Sequence, residues 1–250
     1  MDRPFRPTPF TTVLMVELYK LRRSLALLLA LVAPTLIALF LFFNLMRMEK
    51  SMPWAMMLQS SAAIWAFFML PMSVTALTAL IAHTEHGNRS WDPLHALPIP
   101  RWYFYTAKLL CVLLVVLAMS ALLALLSPLA LSTANWLNPA VTLSGSVDYL
   151  TYLYLLGRIF LAAWLLIGVQ LWVALHYQSF VPALALGIGG TFFAVVATSA
   201  KIGAVLPWQI PVNQLATDPA RAGLALALGS AGGCLLMVLM LFRLSRREWL

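Results

Sequence analysis

The sequence from Leu25 to Met46 is LALLLALVAPTLIALFLFFNLM, and it contains no charged side chain. A helix crosses the hydrocarbon core of a bilayer with about 20 mainly apolar residues, so this stretch predicts a transmembrane helix. Further long apolar stretches predict additional spans, at Trp54–Ala82, Thr106–Leu131, Tyr152–Leu175, Phe180–Ser199 and Gly223–Phe242. The predicted fold is therefore all-α, with six transmembrane helices.

The overall composition agrees with an integral membrane protein. Of the 250 residues, 62% are hydrophobic and only 10% are charged, and the mean hydropathy is +0.90. Soluble domains carry about 25% charged residues, so a soluble catalytic domain is excluded as the main part of the chain. No internal repeat or low-complexity segment is apparent, and we expect residues 1–250 to form a single transmembrane domain.

Lys and Arg are more frequent near the span ends on one side of the membrane than near those on the other side. The basic residues near these ends are Arg3, Arg6, Lys20, Arg22, Arg23, Arg89, Arg101, Lys108, Arg243, Arg246 and Arg247. Those near the opposite ends are Arg47, Lys50, Lys201 and Arg221. The positive-inside rule then predicts a multi-pass protein with both termini in the cytoplasm, in contact with membrane lipids. No basic run is interleaved with stacking aromatics, so nucleic acid is not an expected partner.

Residues 10–23 precede the first span and repeat apolar side chains at three- and four-residue steps. This spacing predicts an amphipathic helix that lies in the membrane interface. Glu17 falls close to the apolar stripe, where a charge is unusual. Either it forms a surface ion pair with Lys20 and Arg23, or it points inward and holds a neighbouring segment.

Residues 83–101 form a polar break between the second and third predicted spans. Gly87 and Asn88 interrupt the helix, and a short helix is expected over Trp91–Leu97. Aromatic and charged side chains in such a short helix suit docking against a soluble protein. The residues expected to carry this contact are Glu85, His86, Arg89, Trp91, Asp92 and Arg101.

A metal site in the same segment is not expected. His83, His86 and His95 share the loop with Glu85, but their spacing is not that of a zinc site and the loop contains no Cys. The two cysteines, Cys111 and Cys234, each lie within an apolar stretch and lack a nearby ligand.

Arg158 lies inside the fourth predicted span, about two turns from its start. A charge at this depth costs at least about 2.5 kcal/mol on insertion scales. Its side chain either lines a path or contacts an anionic group of a substrate, or it has a structural role facing the bundle interior or the outer headgroups.

The chain lacks the sequence features of an enzyme or of an ion-driven carrier. No predicted span has a central Asp or Glu, and no nucleophile elbow, His-Glu-x-x-His pattern or glycine-rich phosphate loop is present. Energy for any uphill transport would therefore come from another chain.

The order of four short motifs resembles a known family. Glu17-x-x-Lys20-x-x-Arg23 precedes six spans, and Glu85-His86-Gly-Asn-Arg-Ser-Trp91 follows the second. Leu97-Pro98-Ile-Pro-Arg101 and Ala107-Lys108 then open the third. This pattern resembles the membrane subunit of bacterial type-2 ATP-binding-cassette exporters, and within them the permeases of lantibiotic- and bacitracin-type immunity transporters.

The resemblance implies a set of partners. Two permease chains, identical or related, would pair in the bacterial inner membrane on two ATPase subunits. These subunits would bind ATP and Mg, so that no cofactor is expected on this chain. Residues 83–101 would be the coupling segment with Glu85 at its start, and the turn at His176–Ser179 would be a smaller second contact. Glu17, Lys20 and Arg23 would brace this region.

The sequence thus predicts an exporter permease for an amphipathic cargo, either a peptide antibiotic or a lipid-like molecule. Arg158 is a candidate residue of the translocation path. We expect Glu85→Arg to leave folding intact while uncoupling the partner's ATP hydrolysis. A non-transporting sensor or assembly subunit that binds a cytoplasmic partner is the alternative, and an intramembrane enzyme is a third.

Overall fold

The computed structural model describes residues 9–22, 24–86, 99–138, 143–196 and 201–246. The N-terminal helix α1 covers Phe10–Leu21 and is followed by α2 at Leu25–Met46. Ser24 caps α2, because its Oγ accepts a hydrogen bond from the Ala26 backbone N–H (3.2 Å). The same hydroxyl donates to Leu21 O (3.0 Å), so it also fixes the turn between the two helices.

The next helices are α3 at Trp54–Ile64, α4 at Leu70–His86 and α5 at Arg101–Leu137. A π-helical turn, Trp65–Met69, joins α3 to α4 immediately before Pro71. A proline in a helix interior lacks a donor and pushes against the preceding carbonyl groups, and the wider turn gives it room. The second span is therefore one continuous helical rod with a local irregularity.

The C-terminal half begins with α6 at Tyr149–Ala162 and α7 at Trp164–His176, separated only at Ala163. Helix α8 covers Val181–Val196, and α9 at Pro219–Ala227 continues through a π-helical turn, Leu228–Gly232, into α10 at Gly233–Ser245. Two short 3₁₀ helices, Lys201–Ala204 and Val212–Leu215, lie between α8 and α9. A two-residue parallel bridge pairs β1 (Met52–Pro53) with β2 (Leu143–Ser144).

In the described ranges, five helical segments are long and apolar enough to span a membrane, and Val181–Val196 is a shorter apolar helix. The predicted all-α multi-pass fold is confirmed. The predicted boundaries were too narrow for the third span, which is a 37-residue helix. At 1.5 Å per residue it is about 55 Å long, so it extends well beyond a hydrocarbon core of about 30 Å.

Two sets of contacts define the two ends of the helix bundle. At one end of the bundle the ring of His83 lies 6.0 Å from that of Phe180, and α1 packs against the start of α5. At the other end the β1–β2 bridge and a hydrogen bond from Asn138 Nδ2 to Met46 O (3.4 Å) join the loops. We call these the α1 end and the opposite end.

Small residues let the last span approach α6 and α7 closely, as the four-residue spacing of Ala225, Gly229 and Gly233 predicts. A Cβ at Gly229 would collide with the carbonyl oxygen of Ala162, and one at Gly233 would meet the backbone N of Leu165 at 2.6 Å. This packing lies within the chain, and it fixes the last span at the Ala162–Trp164 break.

Gly229→Ala is expected to destabilise the protein, because the added methyl group has no space against Ala162. Overpacking of this kind costs about 1–3 kcal/mol, which outweighs the gain of about 1 kcal/mol in helix propensity. The measurement is the thermal unfolding midpoint of the purified protein in detergent. Gly223→Ala is the matched control, since nothing lies within 4 Å of its Cβ position. An equal midpoint for the two variants would contradict the close approach.

Candidate functional site: a buried charge cluster

Four charged side chains meet at the α1 end, where α1, α4 and α5 converge. Lys20 Nζ lies 2.9 Å from Glu17 Oε1 and 2.7 Å from Glu85 Oε1. Lys108 Nζ lies 2.9 Å from Glu17 Oε2 and 2.9 Å from Glu85 Oε1. Each charge therefore contacts two charges of opposite sign. We call Glu17, Lys20, Glu85 and Lys108 the charge cluster.

The charge cluster is largely shielded from solvent. The side chains of Lys108 and Glu85 are 0% and 2% exposed, whereas that of Lys20 is 34% exposed. Two carboxylates face two ammonium groups, so the formal charge of the cluster is zero. A buried charge without a partner would cost several kcal/mol, and the alternating arrangement avoids that cost.

Local sequence places the members of the cluster. Glu17 and Lys20 are three residues apart on α1 and so lie on one helix face. Glu85 is the penultimate residue of α4, and Lys108 lies about two turns into α5. A carboxylate at a helix C-terminus is disfavoured by the helix dipole, so Glu85 depends on Lys20 and Lys108 for its stabilisation.

Apolar contacts hold α1 against α5 beside the cluster. Val13 packs with Phe104 and Ala107 in a small buried core. The ring of Phe10 lies 6.4 Å from that of Trp102 in a stacked arrangement and 5.4 Å from that of Tyr103 edge-on. The other face of α1 remains exposed at Met15 and Tyr19, as expected for a helix in the membrane interface.

The electrostatics favour the charged state of Lys20. Its partial burial alone would lower the pKa, but the carboxylates of Glu17 and Glu85 outweigh burial and raise the pKa above its usual 10.5. A raised lysine pKa means that this contribution to stability is complete at neutral pH. It is lost only as the pH rises through the raised value, above 10.5.

Of the two arrangements open for Glu17, the structure shows the inward one. Its carboxylate is buried and accepts a hydrogen bond from Lys108 on α5, so it holds a neighbouring segment. Glu85 is also buried, which contradicts the expectation that Glu85→Arg leaves folding intact. An arginine there would place three cations around one carboxylate.

The other residues predicted for coupling are only partly within the described ranges. Arg101 is the first residue of α5 and is half-buried. His86 is the last residue of α4, and its side chain lies outside the described part. The positions of Arg23, Arg89, Trp91 and Asp92 also lie outside the described residues.

Lys108 is the functional residue that sequence reasoning missed. It appears in the Ala107-Lys108 motif and among the basic residues near span ends, where snorkelling toward the headgroups explains a lysine equally well. Its position was the available signal, because it lies about seven residues inside a helix whose exposed residues between Trp102 and Leu129 are all apolar. No group of three or more His, Cys, Asp or Glu suited to metal binding occurs among the described residues.

Arg158 lies at the opposite end and contacts the segment between α8 and α9. Its Nε donates a hydrogen bond to Gln214 Oε1 (3.1 Å), and its guanidinium carbon lies 5.7 Å from the centre of the Tyr154 ring. The segment itself is well anchored, because Asn213 Nδ2 donates to Gly203 O (3.1 Å) and Gln214 Nε2 to Ala222 O (3.3 Å).

Beside Arg158 a cavity of about 380 Å³ opens between α3 and α6. Its walls combine apolar side chains with polar ones, and the polar members are Gln59, Asp148, Thr151, Tyr152, Tyr154 and Arg158. Tyr152 is fixed by a short buried hydrogen bond between its hydroxyl and Ser61 Oγ (2.6 Å). Arg158 thus both supports the segment between α8 and α9 and lines a cavity.

These helices define a multi-pass membrane protein that has a structured charge cluster where the second and third spans meet the N-terminal helix. The chain matches the family described as ABC-2 family transporter protein over residues 13–196, and it belongs to this family. It is therefore a permease subunit of an ATP-binding-cassette transporter, a transport subunit whose family works with an ATP-binding subunit. A comparison with curated proteins finds no match.

Lys108→Gln is expected to destabilise the protein by about 3–5 kcal/mol, because it leaves Lys20 as the one cation among the described residues that contacts the two buried carboxylates. The unfolding midpoint in detergent measures the effect, with the exposed Lys50→Gln as control.

The double variant Lys108→Gln/Glu85→Gln should lose clearly less than the sum of the two single losses, since it removes one charge of each sign. Additive losses would show that the contacts in the charge cluster contribute no coupling energy.

Proposed function

We propose that this permease exports an amphipathic cargo, a peptide antibiotic or a lipid-like molecule, and that a separate ATPase subunit drives it. Two permease chains, identical or related, would pair, and ATP and Mg would bind to the ATPase subunits. The observation that carries the coupling part of this proposal is the charge cluster. It joins three elements at the point where α4 ends at His86 and α5 begins at Arg101.

The strength of the charge cluster makes it suited to transmit movement. Removing one partner of a buried ion pair costs about 3–5 kcal/mol, which is comparable to a large part of the stability of a domain. The ends of α1, α4 and α5 would therefore move together rather than separate. A displacement of residues 87–98 by the ATPase subunit would then reach the second and third spans directly.

The contact with the ATPase is assigned to the segment that the charge cluster supports. Arg89, Trp91 and Asp92 would dock on the ATPase subunit, flanked by His86 and Arg101, while Arg23 would brace the region with α1. The buried Glu85 would anchor the segment instead of touching the partner. A second contact at His176–Ser179 is supported by the proximity of His83 and Phe180, whose rings lie 6.0 Å apart.

The charge distribution supports the proposed orientation of the protein in the membrane. The α1 end carries Lys20, Arg22 and Arg243, so it would face the cytoplasm of a bacterial inner membrane with both termini on that side. The opposite end, with Arg158 and its cavity, would face outward. The motifs quoted for the lantibiotic- and bacitracin-immunity permeases favour that branch and, with it, a role in antibiotic resistance.

The cargo is expected to contact the cavity beside Arg158. The cavity of about 380 Å³ has apolar and polar side chains in its lining, including the charged Asp148 and Arg158. It suits part of an amphipathic molecule whose anionic group contacts Arg158. The guanidinium uses its Nε for Gln214, and its remaining N–H groups are at the edge of a planar fork that pairs well with carboxylate or phosphate.

Lys20→Gln is expected to lower cargo-stimulated ATP hydrolysis by at least about fivefold, the lower end of the usual range of about 5- to 150-fold for coupling between sites. Lys20 is the most exposed member of the charge cluster, so the variant should still fold. The complex is purified in mild detergent from its native membrane, and its ATP hydrolysis is measured with and without cargo. Lys20→Arg should restore coupling because it keeps the charge.

Arg22→Gln is the matched control for Lys20, since Arg22 is exposed on the same helix end and its described hydrogen bond uses only the backbone. Loss of stimulation in both variants, or in neither, would contradict the assigned role. A chain that purifies without any subunit carrying a phosphate-loop lysine would contradict the transport proposal and favour a sensor or assembly subunit.

Arg158→Gln is expected to raise the cargo concentration for half-maximal transport about tenfold for cargo with an anionic group, because it removes a charge-assisted hydrogen bond. Neutral analogues should be unaffected. Uptake into inverted vesicles measures both, and Arg47→Gln, exposed at the same end, is the control. Equal effects on anionic and neutral cargo would remove Arg158 from the cargo contact.

A further inference from the structure

A second cavity lies at the α1 end, on the face formed by α7 and α10. Its volume is about 460 Å³. Its lining combines aromatic and basic side chains, and its members are Trp172, His176, Phe242, Arg243, Leu244 and Arg246. None of its lining residues belongs to the charge cluster or to the cavity beside Arg158, and the proposed transport function makes no use of it.

The cavity is cationic. Arg243 and Arg246 both line it, and no Asp or Glu does so among the described residues. The guanidinium carbon of Arg246 lies 3.8 Å from the centre of the Phe242 ring. A guanidinium over an aromatic face is attracted to it and keeps its N–H donors at its edge, where they can reach an anion.

An apolar stripe runs along α10 toward the cavity. Leu235, Val238, Leu239 and Phe242 follow one another at three- and four-residue steps and are 47–64% exposed. Such side chains on a membrane-spanning helix face acyl chains. The stripe ends at Phe242, the residue that also carries the stacked Arg246. Basic groups at headgroup depth therefore adjoin an apolar surface at acyl-chain depth.

We propose that this surface is a binding site for an anionic phospholipid. Arg243 and Arg246 bind the phosphate-bearing headgroup, Trp172 and Phe242 flank it, and an acyl chain lies along the stripe on α10. Basic pockets between transmembrane helices take anionic headgroups in this way. The charge complementarity selects an anionic over a zwitterionic lipid, and the adjoining stripe selects a lipid over free phosphate.

The test is native mass spectrometry of the purified chain with equal concentrations of phosphatidylglycerol and phosphatidylcholine. The wild-type protein should retain phosphatidylglycerol preferentially. R243Q/R246Q should bind it about thirtyfold more weakly, since each basic residue near an anionic headgroup contributes about fivefold. Both arginines are exposed, so the variant should keep the wild-type unfolding midpoint.

R47Q/K50Q is the matched control, because it removes the same charge from exposed positions at the opposite end. It should leave lipid retention unchanged. Equal retention of the two lipids by the wild type, or unchanged retention by R243Q/R246Q, would overturn the proposal. Displacement of the lipid by excess inorganic phosphate would identify a free-anion site instead. A dimer that only R243Q/R246Q dissociates, with bound lipid unchanged, would assign this face to a second copy.

Discussion

The neutral pairing of four charges, three of them buried, is the constraint on which the α1 end depends. Glu17 and Lys20 come from the N-terminal helix, Glu85 from the end of the second span and Lys108 from the start of the third. Glu17, Glu85 and Lys108 are not stable in their buried positions without charged partners, because an unpaired charge at such burial costs several kcal/mol. The pairing therefore fixes the position of α1 against the end of α4 and the start of α5. Residues 87–98 lie in the sequence between these two helices.

Outside the charge cluster, the molecule is held by packing between the spans and by contacts at the opposite end. The spans bury small and apolar side chains against one another and expose large apolar ones, as lipid-facing helices do. At the opposite end, Arg158, Asn213 and Gln214 anchor the segment between α8 and α9 through hydrogen bonds. Contacts between separate elements therefore hold both ends of this ABC-2 permease.

Much of this fold follows from the sequence, because apolar runs of spanning length have few other solutions. The unusual place of Glu17 within an apolar stripe also indicated a partner. Its partner on α5 was beyond sequence reasoning, since Lys108 lies 91 residues away and a lysine near a span end is ordinarily explained by the headgroups. The contact of Arg158 with Gln214 depends likewise on how the segment between α8 and α9 folds, and the hydrophobic periodicity of the sequence does not predict that fold.

The proposed function requires that the charge cluster keeps α1 and the end of α4 together throughout the transport cycle. The direct measurement is the distance between spin labels at Met15→Cys and His83→Cys, both exposed, with Cys111 and Cys234 replaced by serine. It is made by pulsed electron paramagnetic resonance on the complex with its ATPase subunit, without nucleotide, with ATP and after hydrolysis. We expect one narrow distance distribution in all three states and a broadened one when Lys108→Gln is added. If the distance distribution of the protein with an unaltered charge cluster shifts when ATP binds to the ATPase subunit, α1 and the end of α4 separate during the cycle. That result would contradict the proposed role of the charge cluster.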